Sequence, residues 1–355
     1  MNNDYLLESD IKEIYDLLGA SYIDRLVGKT ILISGAQGFI GQYLIDFFLY
    51  LNKIQPDEPI QIVAIDNLIT NTREEKLERK TDVEFLNADV IQGFDYSGSI
   101  DYVIHAAGIA SPFYYAKFPI ETMEVATVGT KNLLTLALEK QVEGFLFFSS
   151  SEVYGDPDCK HVPTNESYSG NVSCVGSRAC YDESKRLGET ICKVFQSHFG
   201  VPTKIVRPFN IYGPGMRQND YRVMPEFLSK ALSGKPVNIY KPGTQTRTFC
   251  YSTDALNGFL RVLLDGVPGE PYNIGNDHPE ITISELAEQM EIVLGSEIKK
   301  NFIEHPDFYP SDEPVRRCPD LKKASMHLAY QPTVSLREGL RRSINWASEH
   351  YISKL

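Results

Sequence analysis

Short apolar runs alternate with longer helical stretches through the first half of the chain. Thr30–Ser34 (TILIS) is a β-branched run that ends at a glycine turn. Ile60–Ile65, Val83–Leu86, Tyr102–His105, Gly144–Ser149 and Thr203–Arg207 follow as further strands. Ile40–Leu51, Ile120–Lys140 and Tyr181–His198 read as the helices between them. Strands that alternate with helices predict a parallel sheet covered on both faces. Right-handed crossovers make it a doubly wound α/β Rossmann sheet. After Arg207 the texture changes. Pro208, Gly213, Pro214, Gly215, Gly234, Pro236, Pro242 and Gly243 punctuate a smaller, more irregular C-terminal lobe with helices such as Ser284–Leu294. Asp254–Asp265 reads as a helix that returns to the sheet, so the two parts are interleaved. Ahead of the first strand, Leu7, Ile11, Ile14 and Leu18 recur at helical spacing and Gly19 stops the pattern. The expected division is a helical extension over 1–27, a Rossmann domain over 28–207 and a lobe for substrate over 208–355.

Composition narrows the partners. A chain of 355 residues that is 42% hydrophobic and 23% charged can bury a large core. Its formal net charge of -12 argues against nucleic acid or an anionic membrane as partner. No apolar run approaches the ~18 residues that span a bilayer, and no basic leader opens the chain. The six cysteines are scattered without a CxxC pair, and histidines do not cluster near them. No metal site is expected, and the thiols suit a cytoplasmic protein.

Candidate chemistry starts at the first strand. Gly35-Ala36-Gln37-Gly38-Phe39-Ile40-Gly41 is a GxxGxxG turn between a strand and a helix. Such a turn lets bare backbone approach a pyrophosphate at a helix N-terminus. Asp66 ends the second strand, where a carboxylate accepts both ribose hydroxyls of NAD and repels a 2′-phosphate; Arg73 nearby is the one feature that would suit a phosphate. Asp89 stands after the third strand, placed for an adenine edge. Asn67, Val90, Ala106 and Ala107 stand at the following strand ends and complete the expected NAD site.

Tyr181 and Lys185 are four apart in a helical stretch, so they share one face. A neighbouring ammonium favours a tyrosinate, which can take a proton from a sugar hydroxyl. Ser149-Ser150-Ser151-Glu152-Val153-Tyr154-Gly155 follows the fifth strand, at the carboxyl edge of the sheet where doubly wound folds bind ligands. Ser150 and Ser151 offer hydroxyls there and Glu152 a carboxylate.

The glycine turn, SSSEVYG and YxxxK together resemble the extended short-chain dehydrogenase/reductase family. Further stretches narrow the resemblance to its UDP-glucuronic acid decarboxylases: Gly176–Arg186, Arg207-Pro-Phe-Asn210 through Pro214, Gln245-Thr-Arg247-Thr-Phe, Tyr272–Asn276 and Arg316-Arg317-Cys-Pro319-Asp320. It runs from about Lys29 to Trp346. The pair Ser151-Glu152 is similar to the decarboxylase pattern, whereas 4,6-dehydratases of the family carry Asp-Glu there. The resemblance implies NAD-dependent decarboxylation of a nucleotide-linked uronic acid by C4 oxidation, CO2 loss and re-reduction. It implies catalytic roles for Tyr181, Lys185, Glu152, Ser150, Ser151 and Arg317. Tyr115, Asn210, Tyr240, Arg247, Glu152 and Arg317 are the expected substrate contacts, with Arg247 and Asn210 toward the diphosphate. It also implies a homodimer formed as a four-helix bundle from the Ile120–Lys140 and Tyr181–His198 segments. Ala126 departs from the family, which has Asn there, and so does Lys241-Pro242 in place of a small turn. The alternatives are a 4,6-dehydratase or 4-epimerase of the same fold, and a non-catalytic NAD-binding protein.

Overall fold

The computed structural model of the chain describes residues 6–70, 82–304 and 314–351. Arg73 lies outside the described residues. A parallel sheet is built from β1 Thr30–Ser34, β2 Gln61–Asp66, β3 Val83–Asn87, β4 Tyr102–His105, β5 Gly144–Phe148, β6 Thr203–Pro208 and β7 Pro271–Ile274. Their order across the sheet is 7-6-5-4-1-2-3. The expected doubly wound sheet is therefore present, and it has one strand that the apolar runs did not reveal. β7 overlaps the Tyr272–Asn276 motif and pairs with β6 in the register Tyr272 to Val206. It is short and interrupted by Asn273, so its pattern is not a continuous apolar run.

Alternate residues of each strand feed opposite faces. Ile31 and Ile33 of β1 join the core under the Phe39–Ile54 and Ser252–Asp265 helices. Leu32 joins the other, with Leu133, Leu134 and Cys192. The Ser252–Asp265 helix is buried along nearly its whole length, because it leaves the smaller lobe and packs back on the sheet. A separate core fills that lobe, around Phe227, Ile239, Leu286 and Trp346. Three short strand groups shape it. In one of them Thr246–Arg247 pairs with Arg316–Arg317, which sets Arg247 beside Arg317.

The expected helix over Ile120–Lys140 is broken. It forms Pro119–Glu124, a π-helical turn at Val125–Gly129, and Thr130–Lys140. Side chains divert the carbonyls here: Thr130 Oγ1 donates to the Ala126 carbonyl at 2.7 Å, and His105 Nε2 lies 3.2 Å from that of Val125. Such π turns gather at functional sites, and Ala126, the departure from the family, lies within it. Its carbonyl abuts Gly188 of the Ala179–Phe199 helix; a side chain there would begin 2.7 Å away.

The N-terminal helix, Glu8–Leu18, ends at Gly19 with φ 82°. Ile11, Ile14 and Leu18 bury against the sheet domain, and Leu7 packs on the smaller lobe's core. Asp10 is fully buried between the two. It accepts from Tyr251 at 2.7 Å and Tyr43 at 3.2 Å, and pairs with Arg342 at 3.2 Å. Removing one partner of a buried polar set leaves the others unsatisfied, at about 3 kcal/mol. Asp10→Ala is expected to lower stability by about that amount in urea denaturation, whereas substitution of the exposed Asp16 changes it by under about 0.5 kcal/mol.

Candidate active site

Two adjoining cavities open where the strand order reverses, outside the carboxyl ends of β1 and β4. The first is lined by the glycine turn and the ends of β2 and β3. Gly35 has φ +71°, and a Cβ there would lie 2.6 Å from the Ala107 backbone. The turn therefore has room for bare backbone only. Gly38 begins the Phe39–Ile54 helix, and Gln42 Nε2 holds the turn through the Ala36 carbonyl at 3.0 Å. Gln37, Phe39, Ile40 and Gly41 face the same space. Asp66 accepts from the backbone N–H groups of Gln37 and Leu68, each at 2.8 Å. Burial pushes its pKa up, and those two N–H groups oppose the shift. Asn67 donates to Asp89 at 3.1 Å. Val90, Ala106 and Ala107 complete the wall with Asp89. The structure thus brings the expected cofactor residues together, and the bare turn at a helix N-terminus fits the pyrophosphate of NAD.

The second cavity lies between the sheet and the smaller lobe. Ser150, Ser151, Glu152, Tyr181, Lys185, Tyr115, Asn210, Tyr240, Arg247 and Arg317 all line it. The Ser149–Glu152 loop is pinned from below. Ser149 donates to Glu189 at 2.5 Å, and Arg207 grips the same carboxylate with two nitrogens at 2.8 and 2.6 Å. Ser150 caps the turn at Ser151–Tyr154 by accepting from the Glu152 N–H, and its hydroxyl acts to lower the pKa of Tyr181. One side chain thus caps the turn and lines the cavity beside the tyrosine.

Tyr181 and Lys185 are buried on one face of the Ala179–Phe199 helix. Tyr115 stacks on Tyr181 with ring centres 5.7 Å apart. Lys185 Nζ donates to the Phe148 carbonyl at 2.7 Å and lies 5.8 Å from the Tyr181 ring centre. Burial pushes Lys185 down to about 8. The expected depression of Tyr181 is not what the structure shows. Burial pushes it up to about 12; the Ser150 hydroxyl and Arg222 oppose the rise, and Glu152 and Asp182 add to it. Desolvation outweighs a lysine whose ammonium is held by a carbonyl, so Tyr181 is a neutral phenol here.

Glu152 is held by Arg317 at 2.7 Å and by Arg178. Burial opposes its charge, but Arg178, Arg317 and Arg247 hold it below the ordinary carboxylate range. Arg178 also reaches Asp182 at 3.4 Å. Burial and the Glu152 charge push Asp182 up to about 7. Sequence reasoning gave no role to Arg178 or Asp182. The signal was there: an Arg-Asp pair four apart, overlapping YxxxK on one helix. Arg222 was missed too. It lines both cavities and is fixed by Asp220 through two nitrogens. Nothing in its local sequence marks it; only the fold carries it to Tyr181.

The remaining expected residues sit as follows. Arg247 is buried, and donates to the carbonyls of Thr246 and Pro314 at 2.8 Å. Asn210 has φ 44° and donates to the Thr248 carbonyl at 2.8 Å. Lys241 pairs with Glu304 at 2.9 Å on the exposed surface.

A doubly wound sheet, a glycine turn built for a dinucleotide and a buried Tyr-Lys pair define a Rossmann-type enzyme. Residues 31–275 match the NAD dependent epimerase/dehydratase family, and the chain belongs to it. UDP-glucuronic acid decarboxylase 3 of Arabidopsis thaliana is 40% identical over 313 residues, which cover 87% of this chain and 86% of that protein. UDP-glucuronic acid decarboxylase 1 of Danio rerio is 37% identical, over 90% of this chain and 73% of that protein. Among solved structures, UDP-glucuronic acid 4-epimerase from Bacillus cereus, with UDP-glucuronic acid and NAD, superposes with a TM-score of 0.76 at 28% identity. It covers 91% of this chain and 100% of that one.

The glycine turn yields a test. Gly35→Ala adds left-handed strain of about 1–2 kcal/mol and a collision with the Ala107 backbone. NAD affinity is expected to fall by at least about tenfold, read as lost cofactor content after purification and weaker NADH fluorescence titration.

Proposed function

We propose that the chain decarboxylates a nucleotide-linked uronic acid, of the UDP-glucuronic acid to UDP-xylose kind, and regenerates its NAD in each turnover. The observation that carries this reading is the Glu152–Arg317 pair in the cavity wall beside Tyr181. A cation in the same cavity as the tyrosine supports a substrate that carries a carboxylate. The curated relatives named above support the same reaction.

The residues divide the work. Bound NAD supplies the hydride acceptor, and afterwards the donor, at C4. Tyr181, once ligand binding has drawn off its phenolic proton, takes the proton of the C4 hydroxyl, with Ser150 beside it and Lys185 supplying local positive charge. The C4 ketone places the C5 carboxylate β to a carbonyl. Loss of CO2 sends the bond's electron pair toward the C4 oxygen, where the Ser150 and Tyr181 hydroxyls stabilise the enolate. Arg317 positions the carboxylate. A cation that bound it more tightly than the departing CO2 would slow the step, so its role is placement and proton delivery. Ser151 and Glu152 shape the wall around that carboxylate. Tyr115, Asn210, Tyr240 and Arg247 hold the rest of the nucleotide sugar, with forked donors of Arg247 suited to its diphosphate. In this reading residues 28–207 chiefly serve NAD and 208–355 chiefly the substrate.

A second reading, 4-epimerisation without loss of the carboxylate, is favoured by the structural likeness to the Bacillus enzyme. Mass spectrometry of UDP-glucuronic acid incubated with the NAD-loaded protein separates the two. The expected product is a UDP-pentose with release of CO2, slowed by about a hundredfold or more in Tyr181→Phe. An unchanged mass together with inversion at C4 would sink the decarboxylase reading.

The protein is a homodimer in this account, paired as a four-helix bundle. Ile120, Met123 and Val128 on one segment and Leu187 and Val194 on the other are exposed apolar residues, and the two segments pack side by side. A surface of this kind suits a second copy. A cytoplasmic setting suits six free thiols, and among the described residues no helix is long and apolar enough to cross a membrane. Light scattering should give twice the chain mass, and Leu187→Glu should give single chains that keep their NAD.

A further inference from the structure

Behind Tyr181 lie two acids and their paired bases, and Arg247 adds a further cation acting on Glu152. Glu152 and Asp182 are the acids, and Arg178 and Arg317 the bases. Their side chains are only 5–13% exposed. A carboxylate entering such a place adds a negative charge that water cannot screen. That charge favours protonation of whichever acid is held most loosely.

Asp182 is the group least committed to remaining charged. Glu152 is held by two guanidinium groups, whereas Asp182 has one contact, at 3.4 Å. Its second oxygen, Oδ1, is buried with no hydrogen-bond partner. The other titratable groups acting on it are neutral: burial raises Tyr115, Tyr181 and Cys180. Arg317 and Arg178 remain cations, and Glu152 lies on the low side of its range.

We propose that Asp182 takes up one proton when a carboxylate-bearing nucleotide sugar binds and gives it up when that carboxylate leaves as CO2. The inference rests on the decarboxylase reading above. The reaction breaks the C5–carboxylate bond, releases CO2 and forms a C5–H bond, so one carboxylate and one proton become CO2 and C–H. Tyr181 is not the net source. The proton it takes from the C4 hydroxyl returns to the C4 oxygen when the ketone is reduced. A further proton must enter from solvent in each turnover. Asp182 adjoins Tyr181 in the chain, contacts Arg178, and through it reaches Glu152 at the cavity wall. It acts on the site through its charge, without touching substrate, since the Arg178 guanidinium between them has no acceptor and relays no proton.

Titration calorimetry on NAD-loaded Tyr181→Phe, which blocks turnover, counts the protons when repeated in buffers of different ionisation enthalpy. Asp182 already holds a proton well below its raised pKa and is ionised above it. Uptake on binding UDP-glucuronic acid should therefore be near zero at pH 6 and approach one proton at pH 8. UDP-glucose, which has no carboxylate, should give none. Adding Asp182→Asn should abolish the uptake, and Asp182→Glu should restore it. Binding of UDP-glucuronic acid without uptake at pH 8, or uptake that survives Asp182→Asn, overturns the proposal while leaving the decarboxylase reading intact. That reading fails separately, in the wild-type mass-spectrometric assay, if no UDP-pentose forms.

Discussion

Chain connectivity opens one gap in the sheet, and the site depends on it. From β1 the strand order runs outward one way to β2 and β3 and the other way to β4 and beyond. The connections leaving β1 and β4 therefore diverge, and among the described residues no loop fills the space between them. The glycine turn after β1 and the Ala106–Ala107 backbone after β4 meet across it so closely that Gly35 cannot carry a side chain. The Ser149–Glu152 loop and the tyrosine helix border the same opening from the β5 side, and the smaller lobe roofs it. Each functional group reaches the site from a different strand end.

Within that opening the chemistry is governed by how charge is kept out of water. Lys185, Glu152, Arg178 and Asp182 are all deeply buried. Isolated ions in such a place would neutralise. Pairing lets Glu152 and its arginines stay ionised, and incomplete pairing leaves Asp182 free to change state. Tyr181 follows the same rule. With Lys185 held by a carbonyl, desolvation dominates and the phenol keeps its proton until a ligand alters its surroundings. Beneath the site, Arg207, Glu189, Tyr154 and Asn273 form a bonded network that fixes the serine loop to the sheet.

The strands of the sheet's centre were legible because each is an unbroken apolar run closed by a turn signal. β7 was not, since Asn273 interrupts it and its partner β6 is supplied by tertiary structure. The break in the Ile120–Lys140 helix was likewise hidden. The diverted carbonyls depend on His105, which arrives from a distant strand, and on Thr130, which looks like any helical threonine. Cofactor positions were readable from the glycine spacing, and Tyr181, Lys185 and Glu152 from motifs. Arg178 and Asp182 had a local signal that was passed over. Arg222 had none. The sign of the Tyr181 shift was misjudged because spacing reports proximity but says nothing about how much water remains.

The clasp made by the N-terminal helix has a bearing on biosynthesis. Asp10 emerges early, yet Tyr251 follows 241 residues later and Arg342 332 residues later. A nascent chain threaded from the ribosome exposes that helix's apolar stripe, Ile11, Ile14 and Leu18, long before the surfaces that cover it exist. The sheet can begin to assemble while translation continues, but the seam between the two lobes cannot close until Arg342 is free of the exit tunnel. The N-terminal helix is thus among the last elements to be locked.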